Sequence, residues 1–244
     1  MSGAGTRLAP LEAEHGSLKG RSPLAYLLHA LNQPITGLQC ALELATAVLQ
    51  PADYYVRTLR EGLELVARIR LLVGAIREID DLQERGVKGN SILRLDHVIQ
   101  QAADELHPIA ETRRIRLGLI ASDSLPLRAS EPDLAILVFR SLESALSLAE
   151  ENTHLSIVAR AENGSAWLEF SWIQGSSPDL SPFSQPELGL LIAQAGWEQM
   201  GGTWRQRRNA ERETVTVCVP LSSSSARDSG RHTQSPHTAQ GDCQ

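Results

Sequence analysis

The chain has 244 residues, 42% of them hydrophobic, and 23 basic against 29 acidic side chains give a formal net charge of −6. That length suits two modest domains of about 100–150 residues, each with a packed core. The acidic balance argues against nucleic acid as the main partner, and no apolar run approaches the ~20 residues that span a bilayer. Residues 1–21 lack the apolar block of a secretory signal. Cys40, Cys218 and Cys243 have no metal-ligand spacing, and their odd number suits a reducing compartment, so a cytoplasmic location is expected.

Four segments are expected. Residues 1–21 show no apolar period, and residues 222–244 are a Ser-, Thr-, Gln- and Gly-rich run that can bury almost nothing; both should be disordered. Residues 22–86 read as a helical hairpin, residues 86–90 (G-V-K-G-N) as a linker, and residues 91–221 as an α/β domain.

In the hairpin, Ser22 is placed to cap a helix whose first position is Pro23, where a missing N–H costs nothing. Leu24, Leu28, Leu31, Ile35, Leu38, Leu42, Ala45 and Leu49 follow at separations alternating four and three, the heptad seam of a helix packed lengthwise on others. Pro51 ends this helix, and Asp53 is expected to cap a second one reaching about residue 85. That helix carries its own stripe, Leu59, Leu63, Val66, Ile69, Val73 and Ile76. So short a turn makes the helices antiparallel. One hairpin cannot cover both stripes, so a four-helix bundle built from two chains, a homodimer, is the expected completion.

Beyond the linker, strands are expected at residues 92–95, 115–120 and 125–128, with a helix from Asp96 to about residue 111 between the first two. Ser130-Glu131-Pro132-Asp133 reads as a capping box for a helix to residue 149. Residues 155–161 and 166–173 form a hairpin turned at Asn163-Gly164. A helix over residues 188–200 stops at Gly201-Gly202, and residues 214–219 alternate as a last strand. The result is a mixed sheet with helices on one face. Trp167, Trp172, Trp197 and Trp204 are read chiefly as core or hairpin residues, and the basic run W-R-Q-R-R at 204–208 as a solvated strand face.

His29 lies one residue off the heptad seam and should face solvent. A proline inside a helix costs about 3 kcal/mol, yet Pro34 follows His29 within five residues and leaves the carbonyl of Ala30 without its helical partner. Gly37 loosens the same turn, which suggests a helix bent around an exposed imidazole. Such an imidazole is a fit nucleophile for phosphorus.

Residues 29–38 (H-A-L-N-Q-P-I-T-G-L) resemble the phosphoacceptor box of two-component sensor histidine kinases, commonly H-E-L-N-Q-P-L-x-x-I. The α/β part resembles, more faintly, the Bergerat-type ATPase domain that follows the bundle in that family. The resemblance covers about residues 23–221, and no sensor domain is expected upstream of the bundle. It implies an α + α/β two-domain fold: a dimeric four-helix bundle, then an α/β sandwich of histidine-kinase ATPase type. It also implies His29 as the phosphoacceptor, and Gln33 as the residue that orients a hydrolytic water.

The chain departs from the family where ATP chemistry is done. The acid that usually follows the histidine is Ala30, which removes a general base. The box L-V-F-R-S-L-E-S-A at 137–145 puts Arg140 and Ser144 where the family has two asparagines holding Mg²⁺ and phosphates. An arginine repels Mg²⁺. D-x-G-x-G, whose Asp recognises adenine, is replaced by Gln174-Gly175-Ser176-Ser177-Pro178, and G-x-G-L-G by Pro186-Glu187-Leu188-Gly189-Leu190. Phosphates approach backbone N–H groups closely only where side chains are absent, so the cradle closes. No cofactor or metal is therefore expected. The leading expectation is a histidine phosphotransferase exchanging phosphoryl groups between His29 and receiver-domain aspartates of response regulators. A divergent kinase using ATP and Mg²⁺, and a non-catalytic regulator of a kinase or response regulator, are the alternatives.

Overall fold

The structure is a computed structural model that describes residues 22–47, 49, 51–85, 89, 91–122, 124–175, 184–209 and 211–222. Helices α1 (Pro23–Ala47) and α2 (Ala52–Arg85) form the antiparallel hairpin. The rest runs β1 (Ser91–Arg94), α3 (Leu95–Thr112), β2 (Arg116–Ala121), β3 (Pro126–Ala129), α4 (Glu131–Leu148), β4 (His154–Glu162), β5 (Ser165–Ile173), α5 (Gln185–Gln199), β6 (Thr203–Arg208) and β7 (Arg212–Pro220). Five strands make one mixed sheet in the order β2-β4-β5-β7-β6, with β2 parallel to β4 and the other pairs antiparallel; β1 and β3 pair separately. Asn163 (φ 51°) and Gly164 (φ 77°) turn the β4–β5 hairpin, both left-handed as a two-residue type I′ loop requires.

Alternation along the strands aims Leu155, Ile157, Leu168, Phe170, Val215 and Val217 at α3, α4 and α5, where they join one continuous core. Arg113 donates to the carbonyls of Leu146 (2.5 Å) and Ala149 (2.9 Å), satisfying acceptors that the end of α4 leaves without helical partners. Trp172 and Trp197 are fully buried, while Trp167 and Trp204 are partly exposed. The 204–208 run lies on edge strand β6, a place where arginines guard a free sheet edge.

Several boundaries move. The first helix ends at Ala47, so Leu49 lies outside it and is 94% exposed. The second helix starts at Ala52, which puts Asp53 in its first turn, beside the positive helix end, not at the cap. Ser130 holds the N-cap position of α4 but makes no side-chain cap bond. A reciprocal cap forms at α5 instead, where the Ser184 N–H donates to Glu187 at 3.1 Å. The chain stays helical through Pro34, which is buried. Of the linker only Gly89 is described, and residues 1–21 and 223–244 lie outside the described residues. Ser222 donates its N–H to the Pro126 carbonyl at 2.9 Å.

Asp96, buried at the start of α3, accepts from Arg94 at 2.5 Å and from the Leu125 N–H at 3.3 Å. Burial alone would raise its pKa, but these donors outweigh it and hold the carboxyl below its ordinary value. A lowered folded-state pKa gives stability that is full above the ordinary carboxylate range and is lost as pH falls through the folded value. Asp96→Asn should therefore cost about 1–2 kcal/mol near pH 7 in urea unfolding. The gap from the parent should narrow below about pH 4; an equal gap at pH 7 and pH 3 would contradict the assignment.

Candidate functional site

Helix α1 has two unlike sides. Leu27, Ala30 and Pro34, spaced i, i+3, i+7, are buried, whereas Leu28, His29, Asn32, Gln33 and Thr36 are exposed. His29 and Gln33 are four residues apart and so are neighbours on the open side. The sequence places His29 correctly in solvent, but the stripe buried within one chain is offset by one residue from the heptad seam. Leu28 and Ile35 on that seam are 49% and 44% exposed.

Helices α2 and α5 together cover Leu27 and Ala30 of this stripe. Leu27 and Ala30 join Leu72, Ala75 and Ile79 of α2 and Leu188, Leu191, Ile192 and Ala195 of α5 in a second apolar core. The opposite side of α5, with Leu190, Ala193 and Trp197, belongs to the core of the α/β domain. A helix apolar all round is one covered on two sides, and this is the signal in the sequence that marks α5 as the joint between the domains. Ala30 is 1% exposed here. A carboxylate at that position would be a buried, unpaired charge, so the missing acid next to His29 has a packing cause. Tyr26 lies at the same joint, where burial and the Glu187 carboxylate raise the pKa of its phenol.

A cavity of about 450 Å³ opens between α2, α4 and α5, lined among others by Arg70, Gly74, Glu78, Arg140, Ser144 and Gly189. It gathers three of the four predicted nucleotide-site positions, Arg140, Ser144 and Gly189. The fourth, Gly175, stands apart: its N–H donates to the Leu148 carbonyl at 3.1 Å, past the end of α4. The positions in the cavity are already engaged by protein contacts. The Arg140 guanidinium brings positive charge and pairs with Glu78 of α2 at 2.5 Å. Ser144 is 4% exposed, and a Cβ built on Gly189 would sit 2.2 Å from its hydroxyl oxygen. Gly189 therefore serves helix packing, as does Gly196 two turns on, where an added Cβ would meet Leu137 at 2.7 Å. Between those glycines and the sheet, Trp197 donates to Ser141 at 3.1 Å and fastens α5 to α4. Glu78 and Arg70 carry no such signal in the sequence, because nothing local marks a surface charge on α2 as a partner for α4.

No protein-family profile and no curated protein matches the chain. Solved structures do. Histidine kinase AdeS of Acinetobacter baumannii is 16% identical over 79% of this chain and 98% of its own, with a TM-score of 0.51. Histidine kinase ThkA, solved in complex with the response regulator protein TrrA, is 15% identical over 81% of this chain and 60% of its own, with a TM-score of 0.52. Full-length ShkA in complex with AMPPNP is 18% identical over 81% of this chain and 45% of its own, with a TM-score of 0.50. Among the described residues, no helix is long and apolar enough to cross a membrane. The chain thus has the fold of a sensor histidine-kinase core, a helical hairpin followed by an ATPase-like α/β domain.

Proposed function

We propose that this chain is a two-component phosphotransfer protein that works as a homodimer and does not use ATP. The observation that carries the reading is a contrast. His29 and Gln33 stand open on α1, while Arg140 and Ser144 are taken up by contacts with α2 and α5. In the proposed step an imidazole nitrogen of His29 attacks the phosphorus of a receiver's aspartyl phosphate. The N–P bond forms as the P–O bond to the carboxylate breaks, and the carboxylate leaves with the electron pair. The reverse step, onto a second receiver, regenerates the imidazole. Catalysis is mainly alignment, with the phosphoryl charge neutralised from the receiver's side. ThkA, captured with a response regulator, shows that a protein of this fold can engage one.

Calorimetric titration with Mg²⁺–ATP separates this reading from a divergent kinase. No binding is expected up to millimolar nucleotide, and Arg140→Asn with Ser144→Asn should not create it, because α5 already rests on Ser144 through Gly189. A micromolar dissociation constant in the parent would favour the kinase.

A further inference from the structure

Arg140, which stands where the resemblance would place nucleotide chemistry, instead makes a contact between the two domains. The Arg140–Glu78 pair joins α4 to α2 across the cavity, with both side chains about one-third exposed. A few residues away, the apolar core shared by α1, α2 and α5 buries Leu27, Leu72 and Ile79 completely. Gly189 lets the first turn of α5 settle directly on Ser144, and Gly74 leaves open space on the α2 wall beside it.

We infer that the ATPase-like domain is a permanently docked brace for helix α1, held without nucleotide, in which Arg140 is a built-in cation that pins Glu78 of α2. The two kinds of contact divide the work. An ion pair one-third exposed contributes little binding energy by itself. The hold comes from the apolar core, and the ion pair sets the register of α4 against α2 because like charges there repel. Glu143 and Arg70 also line the cavity and temper the effect of altering either partner. The brace covers Leu27 and Ala30 of α1 and, among the described residues, leaves His29 and Gln33 open to a partner. It requires no particular chemistry at His29, so it stands or falls apart from the phosphotransfer reading.

Hydrogen exchange on the full chain tests the inference. Without nucleotide, amides of α5 and of residues 24–33 should be protected to a similar degree, and Mg²⁺–ATP should not add protection. Arg140→Glu and Glu78→Arg should each speed exchange in both segments about fivefold or more, with strands β5 and β7 unchanged. The combined swap, Glu78→Arg with Arg140→Glu, should restore protection. Single reversals without effect, a swap that fails to restore, or protection that appears only with Mg²⁺–ATP would each overturn the inference. If a reversal also loosens β5 and β7, the neutral Arg140→Gln and Glu78→Gln variants take its place: each should speed exchange in α5 and residues 24–33 measurably but by less than the reversals, with β5 and β7 unchanged, and no change in either segment would overturn the inference.

Discussion

His29→Gln is expected to reduce phosphoryl labelling of this chain by a charged receiver to background, while leaving fold and assembly intact. Glutamine has no imidazole nitrogen to form the N–P bond, and at an exposed helical position away from the buried stripe it removes no packing. Circular dichroism and light scattering on the variant should match the parent. Gln33→Ala should leave labelling in place and change the lifetime of the phosphoaspartate on the receiver, since its amide lies one turn from His29. A His29→Gln chain that accepts phosphate as well as the parent would mean that another residue is the acceptor.

The second large effect concerns assembly. In one chain the part of the hairpin away from α5 leaves Leu42 51%, Leu59 64% and Leu63 70% exposed. Exposed leucines on both antiparallel helices are apolar surface of the kind that marks an interface. A second copy of the hairpin would cover it. Burying each such leucine contributes about 1–2 kcal/mol, and two substitutions per chain remove four from a dimer. Leu42→Lys with Leu63→Lys should therefore raise the dimer dissociation constant at least about a thousandfold. Sedimentation at micromolar concentration should show a dimeric parent and a monomeric variant. A monomeric parent, or a variant that stays dimeric, would refute the two-chain bundle.

Residues with a local physical signature are legible in the sequence. Alternating apolar residues mark β4, β5 and β7, the Asn163-Gly164 pair marks the turn, and heptad spacing marks both long helices. The exposure of His29 agrees with its offset from the seam, but the offset alone does not decide it, since Leu27 and Ala30, also one residue off the seam, are buried. The one-residue shift of the buried stripe is not legible. Helix α1 carries two adjacent apolar rows, and the row buried within the chain is the one packed on α2 and on α5, the latter more than 150 residues away. The cap at Ser130 also departs from expectation, since the motif permits a side-chain bond that Ser130 does not make. That Arg140 repels Mg²⁺ follows from residue type alone, but what Arg140 and Ser144 do in the fold lies in a pairing with Glu78 and a glycine contact across three helices. Charge pairs between distant helices leave no period and no spacing in a sequence.

Transfer of labelled phosphate from receiver domains to the full chain tests the central claim most directly. Receivers of the same cell, charged with labelled acetyl phosphate and mixed one at a time with the parent and with His29→Gln, would be followed on alkaline gels. The proposed function predicts that at least one receiver loses its label within seconds to minutes to an acid-labile, alkali-stable adduct on the parent, and that none labels the variant. It further predicts that the purified phosphorylated chain returns that label to a second receiver. No transfer to the parent from any receiver, alongside stable binding to one of them, would contradict the claim and identify the chain as a binding regulator.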